Sequence, residues 1–558
     1  MITIKYNPQD KRYIFLMGEP KEMAALESYL NKIPQYMFLP SFRGIPKPEV
    51  FLNKFKKNDK VIYYCHHGLW KCIVDWCKEH SIETSGVDPQ LIRRDFNLSL
   101  EEFTKYISMW GLNIDPRDYQ VKAAWLILHY NMSLSQLATR AGKTLIAYII
   151  FRYMLENGAQ NILMIVPSVP LVRQGVRDMK EYKEFFQSEE VWAKGESCEC
   201  SNLTIGTFQS LIKKLDRKSN KYNPKFFDKF DVVCIDEAHT AKCSSINQIL
   251  SQNFLKECKL KFGFSGSLPD DHTIDSFACQ SLIGPMIQDI RSKELMDQGF
   301  ITPAEITQIR INYEFDDELL NDYIECGEYL CSNYKEVDKK KILRPKDSRK
   351  FTMIHEKTLP FSIEKLKKLY NKREYMSYLV DLCKAKGSNL LLLEQMLVHQ
   401  SQKRLEVIEE LLKGFEKNSI VFAHHTEYLN YLYKYFKEKL PHRNIYLITG
   451  STSTKNREKI INALLTDKDA ILFASYGCVG TGLTLKNIDY GIFAQSFKSQ
   501  IINKQALGRG LCLANDKDKY RLYDIIDCFP TKKLYMQGVA KAKLFKKENF
   551  EFYIKEVK

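Results

Sequence analysis

No stretch of 18 or more consecutive apolar residues occurs in the 558-residue chain, which speaks against a membrane-spanning helix. The opening Met1-Ile2-Thr3-Ile4-Lys5 lacks the make-up of a secretory signal peptide, so a soluble, cytoplasmic protein is expected. Zinc-site spacing is missing too. Neither Cys198-x-Cys200 nor Cys72-x₄-Cys77, among 15 scattered cysteines, has companion ligands. Reduced, mostly buried thiols are expected rather than metal sites or disulfides. The 11 histidines form no ligand pattern either, and His66-His67 and His424-His425 suit solvent or local hydrogen bonds. Acidic charge is in deficit: 83 Lys+Arg against 68 Asp+Glu leaves +15, which fits a polyanionic partner. What is present, 44% apolar and 27% charged residues, is globular composition. At ~150 residues each, about three or four domains are expected.

The stretch Leu134–Thr144 organises the rest. A strand-like run stops at Thr139, then Arg140-Ala141-Gly142-Lys143-Thr144 precedes an apolar helical pattern. Such a strand–loop–helix turns backbone N–H groups and a helix N-terminus toward an anion. Lys143 would reach the terminal phosphates of ATP, and the Thr144 hydroxyl would ligate Mg²⁺. The first glycine of G-x-x-x-x-G-K-[ST] is missing, with Leu137 in its place.

Along the chain, residues 1–112 read as a small α+β module with strands at Tyr13–Met17 and Val61–Cys65. Its loop Phe42-Arg43-Gly44 and Lys54-Phe55-Lys56-Lys57 mix basic and aromatic residues, a weak nucleic-acid signal beside that of a solvated edge. Residues 113–309 alternate strands (Ile162–Val166, Leu203–Ile205, Val232–Ile235, Leu260–Phe264) with amphipathic helices, the βαβ rhythm of a parallel sheet. Residues 310–385 break that rhythm around the basic Lys335–Lys350 and read as a linker or insertion. A second α/β block, 386–530, carries strands at Ile420–Ala423, Ile445–Ile448, Ala470–Ala474, Tyr490–Ala494 and Arg521–Ile525. It has no phosphate loop of its own, and 531–558 reads as a basic C-terminal tail.

The buried-strand run Asp231–Ile235 ends in Asp236-Glu237-Ala238-His239. Carboxylates at that end of a parallel strand stand where ligands bind. Asp236 is suited to hold Mg²⁺, and Glu237 to orient and deprotonate the attacking water. The alternative is a cap for the next helix.

These motifs resemble those of superfamily 2 (DEAD/DEAH-box) helicases and translocases. The resemblance covers about 115–310 and 385–530, through eight motifs in order. It implies two tandem RecA-like parallel-sheet lobes, a small N-terminal α+β domain that binds DNA (residues 1–112) and an inserted helical, basic linker, with ATP bound between the lobes. Arg117-Asp118-Tyr119-Gln120 is similar to the adenine-reading motif, with Gln120 the base-edge contact. Pro167-Ser168 with Gln174, and Thr207-Phe208-Gln209, resemble nucleic-acid contacts of the first lobe. His239 and Ser265-Gly266-Ser267 resemble the motif coupling hydrolysis to lobe movement.

In the second lobe, His424, Gly450-Ser451 and Arg457 resemble the grip on the tracking strand. Ser475 and Gly482 match the lobe-interface motif, and Gln505 and Arg509 the final motif, whose arginines reach the γ-phosphate. The wording Asp-Gln-Gly-Phe-Ile-Thr-Pro at 297–303 resembles the phage UvsW type, whose members act on duplex or branched DNA in recombination, repair and fork remodelling. A DNA partner, a monomer and ATP with Mg²⁺ are implied; RNA stays open.

Three departures stand out: Arg140 in the phosphate loop, Ser267 for threonine, and Cys512 where Gln-x-x-Gly-Arg-x-x-Arg ends in arginine. Arg509 is expected on nearly the same helix face as position 512, carrying the arginine role alone or with Arg140 of the phosphate loop assisting. A clamp or annealing factor that hydrolyses ATP weakly is one alternative. A restriction-type motor subunit is another, disfavoured as a self-contained enzyme because no nuclease motif is recognisable.

Overall fold

The computed structural model describes residues 1–7, 10, 12–32, 49–57, 60–86, 96–191, 201–242, 244–252, 258–314, 316–332, 371–385, 390–479, 485, 487–495, 499–514 and 517–557. Past the N-terminal segments, the chain divides after Arg291 into two compact units.

The first unit opens with a five-stranded sheet: β1 (Ile2–Tyr6), β2 (Tyr13–Met17), β3 (Leu52–Lys57), β4 (Lys60–His66) and β5 (Thr84–Ser85), in the order β3-β4-β2-β1-β5. Period-two alternation turns Ile2, Ile4, Ile14, Leu16, Leu52 and Cys65 inward. Two helices cover that face, Pro20–Leu30 with Met23, Leu26 and Leu30, and Trp70–Glu79 with Ile73, Trp76 and Cys77.

Phe277, from a helix of the following lobe (Ile274–Ile283), completes this core. Its ring meets Tyr29 and Phe51 edge-on at 5.3 and 5.8 Å. The approach is close enough that a Cβ on Gly68 would lie 1.9 Å from the Gln280 carbonyl oxygen.

The first parallel sheet comprises β6 (Met132–Leu137), β7 (Ile162–Val166), β8 (Ser188–Val191), β9 (Leu203–Thr207), β10 (Val232–Ile235), β11 (Leu260–Ser265) and β12 (Met286–Ile290). Their order is β12-β6-β11-β10-β7-β9-β8, and every pairing is parallel. Strands β7, β9, β10 and β11 are buried throughout, as expected of a sheet covered on both faces. The module boundary expected at 112 shifts earlier. Helix Leu100–Ser108, opened by a Ser99–Glu102 capping box, sets Phe103 against Tyr153, and the Trp110 indole N–H donates to Glu156.

The second unit holds β13 (Ala304–Asn312), β14 (Ser419–Ala423), β15 (Ile445–Ile448), β16 (Ile471–Ser475), β17 (Tyr490–Phe493), β18 (Tyr520–Cys528) and β19 (Glu551–Val557). They form one parallel sheet ordered β15-β16-β14-β17-β18-β13-β19.

Three expected boundaries are corrected here. The first block ends at Arg291, not 309, because β13 pairs with β18 along nine residues. In 310–385, helices Asp317–Ser332 and Lys372–Ala385 are not a linker but core, through Tyr323, Cys326, Leu330 and Leu379; Lys335–Lys350 lies outside the described residues. The basic tail is structural. Helix Lys533–Lys547 buries Leu534, Leu544 and Phe545, and β19 adds a strand beside β13. A count of lysines hides this, since the apolar residues among them keep helical spacing.

Candidate functional site

The site in the first unit is built where β6, β10 and β11 end. After β6, Arg140 (φ +75°) and Gly142 (φ +74°) both take left-handed backbone, so the chain turns sharply before helix Lys143–Glu156. Only glycine suits position 142, because a Cβ there would stand 2.1 Å from Gln120 Nε2. Arg140, with a full side chain, carries the conformational cost that glycine avoids, about 1–3 kcal/mol.

Gln120, buried, serves the loop. Its Nε2 donates to the Ala141 carbonyl (2.9 Å) and its Oε1 accepts the Arg117 backbone N–H (2.9 Å). Tyr119, not singled out from the sequence, donates its hydroxyl to the same carbonyl (2.9 Å). The Thr139 hydroxyl faces Gly266, where a Cβ would approach it to 3.3 Å. Thr144 sits on the first turn of the helix.

Beneath the loop, Lys143 Nζ lies 3.2 Å from Glu237 Oε1. Glu237 follows β10 with φ +51°, a second non-glycine residue in the left-handed region. Its other oxygen is 3.2 Å from His239 Nδ1, which is 2.9 Å from Ser265 Oγ at the end of β11. Ser265 donates to the Ser267 carbonyl (2.9 Å) and accepts the Ser267 N–H (3.2 Å). One polar chain thus runs Lys143–Glu237–His239–Ser265–Ser267 across three strand ends.

Asp236 accepts the Glu237 N–H (2.9 Å). The two carboxyls are driven apart. Burial pushes Asp236 up and the neighbouring Glu237 adds to this, outweighing Lys143. Burial pushes Glu237 up as well, but Lys143 and His239 outweigh it and hold it well below the usual carboxylate range.

Gln136, on β6, escaped the sequence reading. Its Nε2 donates to Asp289 on β12 (2.7 Å) and its Oε1 accepts the Leu268 N–H (3.0 Å), tying the strand before the loop to the stretch after Ser267. A glutamine within a buried strand was the available signal.

The predicted nucleic-acid residues of this unit form two neighbouring groups. Pro167 and Ser168 follow β7, and the Pro167 carbonyl accepts from Gln209 Nε2 (3.3 Å). Thr207 ends β9 and caps the next turn by accepting the Ser210 N–H (3.3 Å). Gln174, on helix Val169–Tyr182, donates to Asp178 (3.2 Å).

In the second unit, His424 is exposed after β14. Its N–H and that of His425 donate to Gln495 Oε1 at 2.9 and 3.0 Å, a support the sequence did not reveal. Gly450 and Ser451 form an exposed turn whose shape Arg457 fixes by donating to the Thr449 and Thr452 carbonyls (3.0 and 3.1 Å). Ser475 is buried at the end of β16, and Gly482 lies outside the described residues.

Gln505 and Arg509 are half-buried on helix Gln500–Gly510. That helix ends before Cys512, so Arg509 and Cys512 do not share a helical face, contrary to expectation. Cys512 is buried, and its carbonyl accepts the Thr302 hydroxyl (2.7 Å). No helix among the described residues is long and apolar enough to cross a membrane.

Comparison with known proteins follows the same division. The family described as type III restriction enzyme, res subunit, matches residues 113–270, and the helicase conserved C-terminal domain matches 402–512. The ATP-dependent DNA helicase uvsW of Enterobacteria phage T4 is 24% identical over 516 residues, covering 88% of this chain and 87% of that one. The DNA 3'-5' helicase XPB of Mycobacterium tuberculosis is 28% identical over 199 residues, 35% of this chain and 34% of that protein.

Among solved structures, the type ISP restriction-modification enzyme LlaBIII shares the fold at a TM-score of 0.52 and 13% identity. The match covers 87% of this chain and 34% of that one. With the two domain families matched in order on two parallel-sheet units, and a curated relative aligned along most of its length, the chain is an ATP-dependent helicase similar to the superfamily 2 enzyme UvsW.

Proposed function

We propose that this helicase is a DNA motor acting on duplex or branched DNA, in recombination, repair or fork remodelling, and that it works as a monomer. One observation carries the chemistry: the polar chain from Lys143 through Glu237 and His239 to Ser265, under a left-handed phosphate loop.

In this reading Lys143 and the backbone N–H groups of Ala141–Thr144 bind the phosphates of ATP. The αL turn at Gly142 and the oxygen donors Thr144 and Asp236 suit a hard cation beside phosphate. Thr144 and Asp236 hold Mg²⁺, which when bound neutralises phosphate charge. Lys143 turns from Glu237 to phosphate, and Glu237, freed of its cation, becomes a stronger base toward the attacking water. His239 orients Glu237 and passes its position to Ser265 and Ser267. Arg117 and Gln120 shape the base side of the loop, with Gln505 and Arg509 joining at the nucleotide.

Pro167, Ser168, Gln174, Thr207 and Gln209 in the first unit contact the DNA backbone. In the second unit, His424, Gly450, Ser451, Arg457 and Ser475 contact the strand, and Gly482 serves the nucleotide with Gln505. The DNA assignment draws on the named activity of the phage relative and on the net charge of +15.

Turnover measured without nucleic acid, and with single strands, duplex, forks and RNA, tests the reading. Stimulation by forks or duplex DNA is expected; stimulation by RNA alone overturns it. A second reading, a clamp that turns ATP over slowly, is favoured by the buried Cys512 in place of an arginine. It predicts tight ATP-dependent binding with little stimulation by any DNA.

A further inference from the structure

Strand β14 keeps its register with β16 as far as Ala423 and with β17 as far as Phe422. The next two backbone N–H groups, those of His424 and His425, both go to one side-chain oxygen, Gln495 Oε1. Gln495 stands just past the end of β17 and is 1% exposed. A buried amide oxygen thus takes the place of the sheet's next acceptor and keeps two N–H groups from going unpaired.

Such an oxygen sets backbone geometry only if it is itself held, and Gln495 is held at both ends. On the main chain, the Tyr476 hydroxyl donates to the Gln495 carbonyl (3.2 Å), and the Tyr476 ring stacks on Phe422 of β14. The preceding carbonyl, of Ala494, accepts from Arg404 Nε (3.2 Å), and that fully buried guanidinium is paired with Asp527. At the side chain, Gln495 Nε2 lies 3.4 Å from His399 Nε2. Because Oε1 is the acceptor, Nε2 is the donor, and this fixes the sense of the amide. The His399 ring in turn stacks at 4.1 Å on Tyr428, in helix Thr426–Lys439, which His425 caps.

The consequence falls on His424. With two consecutive N–H groups bound to one fixed atom, the backbone has little freedom at this turn. Alternation then leaves Ala423 buried, His424 exposed and His425 half-buried. An exposed imidazole can donate an N–H to a phosphate oxygen.

We propose that Gln495 is a positioning residue for strand contact: its buried amide oxygen fixes the turn after β14 that presents His424 to a phosphate of the bound DNA. The proposal rests on the reading of His424 as a strand contact and adds a residue outside the helicase motifs.

The test uses the full chain, with fork-DNA affinity read by fluorescence anisotropy and turnover read at saturating fork. Gln495→Met keeps the side-chain bulk and removes the acceptor. It is expected to weaken fork affinity about tenfold, with turnover at saturating fork kept. Combined with His424→Ala, it is expected to bind no more weakly than His424→Ala alone, because Gln495 acts through His424. A role confined to packing adds its own loss to that of His424→Ala. Such additivity, or wild-type affinity in Gln495→Met beside a weakened His424→Ala, overturns the proposal alone. Wild-type affinity in His424→Ala removes the strand contact itself, and the reading and the proposal then fall together.

Should Gln495→Met misfold, His399→Phe decides by the same two measurements. It keeps a ring against Tyr428 and removes the nitrogen that orients the amide. A weakened affinity that vanishes on the His424→Ala background supports the proposal, and wild-type affinity overturns it.

Discussion

At the scale of the residue, Lys143 and Glu237 form an ion pair at 3.2 Å, and that pairing predicts separable defects. Lys143→Ala is expected to abolish turnover with DNA affinity kept, because the lysine pairs with Glu237 and its proposed ligand is phosphate. Glu237→Gln keeps the contact to Lys143 as a neutral hydrogen bond, so ATP binds and is not hydrolysed. Equilibrium nucleotide binding beside steady-state turnover separates the two, and wild-type turnover in either variant refutes the assignment.

His66 supplies a pH dependence. Burial, then Lys261 and Arg12, lower its pKa to about 4 from an ordinary 6.5. The unfolded chain takes up that proton first, so its contribution to stability is whole above about pH 6.5 and drains away as pH falls toward 4. The loss is on the order of 3 kcal/mol. His66→Gln is expected to flatten this part of the curve, measured as the difference in melting midpoint between pH 7.5 and pH 5. A variant as acid-sensitive as the parent contradicts it.

Much of this site was legible residue by residue, because Gly-Lys-Thr and Asp-Glu-Ala-His are local words whose chemistry needs little context. Their supports were not. Gln136, Tyr119 and Gln495 act through carbonyls and N–H groups distant in sequence, and no spacing announces such partners.

At the scale of the element, helix Gln500–Gly510 decides how the final motif is read. Arg509 stands in its last turn, whereas Cys512 has left it and is buried beside Thr302. Arg509→Ala is expected to be nearly inactive. An arginine at 512 has to displace packed chain, so Cys512→Arg is expected to destabilise the second unit by roughly 1–3 kcal/mol without faster turnover. Turnover and thermal melting of both variants check this; a faster and equally stable Cys512→Arg defeats it.

Element reading from the sequence succeeded where a strand is buried on both faces. Ile162–Val166 and Val232–Ile235 keep the expected ends as continuous apolar runs. It failed for β13 and β19, whose alternation of apolar and charged residues fits a strand of any sheet, so that membership is set by partners more than 200 residues away.

At the scale of the whole molecule, the excess of 15 positive charges predicts that DNA affinity falls steeply with added salt. Affinity measured from 50 to 200 mM salt gives the slope, and a flat dependence removes phosphate contact as the main source of binding. Removing the N-terminal sheet is a poor way to test its role. Phe277 and Gln280 would lose their cover, so truncation is expected to lower solubility before it reports on DNA.

The place of β13, between β18 and β19, also bears on how the protein is made. Unit one is complete in sequence by Arg291 and can fold while synthesis continues. The second unit cannot. Its β13 emerges early, yet its partners β18 and β19 arrive only with residues 520–528 and 551–557. For most of translation this strand is a bare edge with unpaired N–H and C=O groups, open to pairing with another chain. Closing so long a loop is also slow. A nascent chain paused after Lys547 is therefore the species in which misassembly begins, and chaperone demand belongs to the second half of the protein.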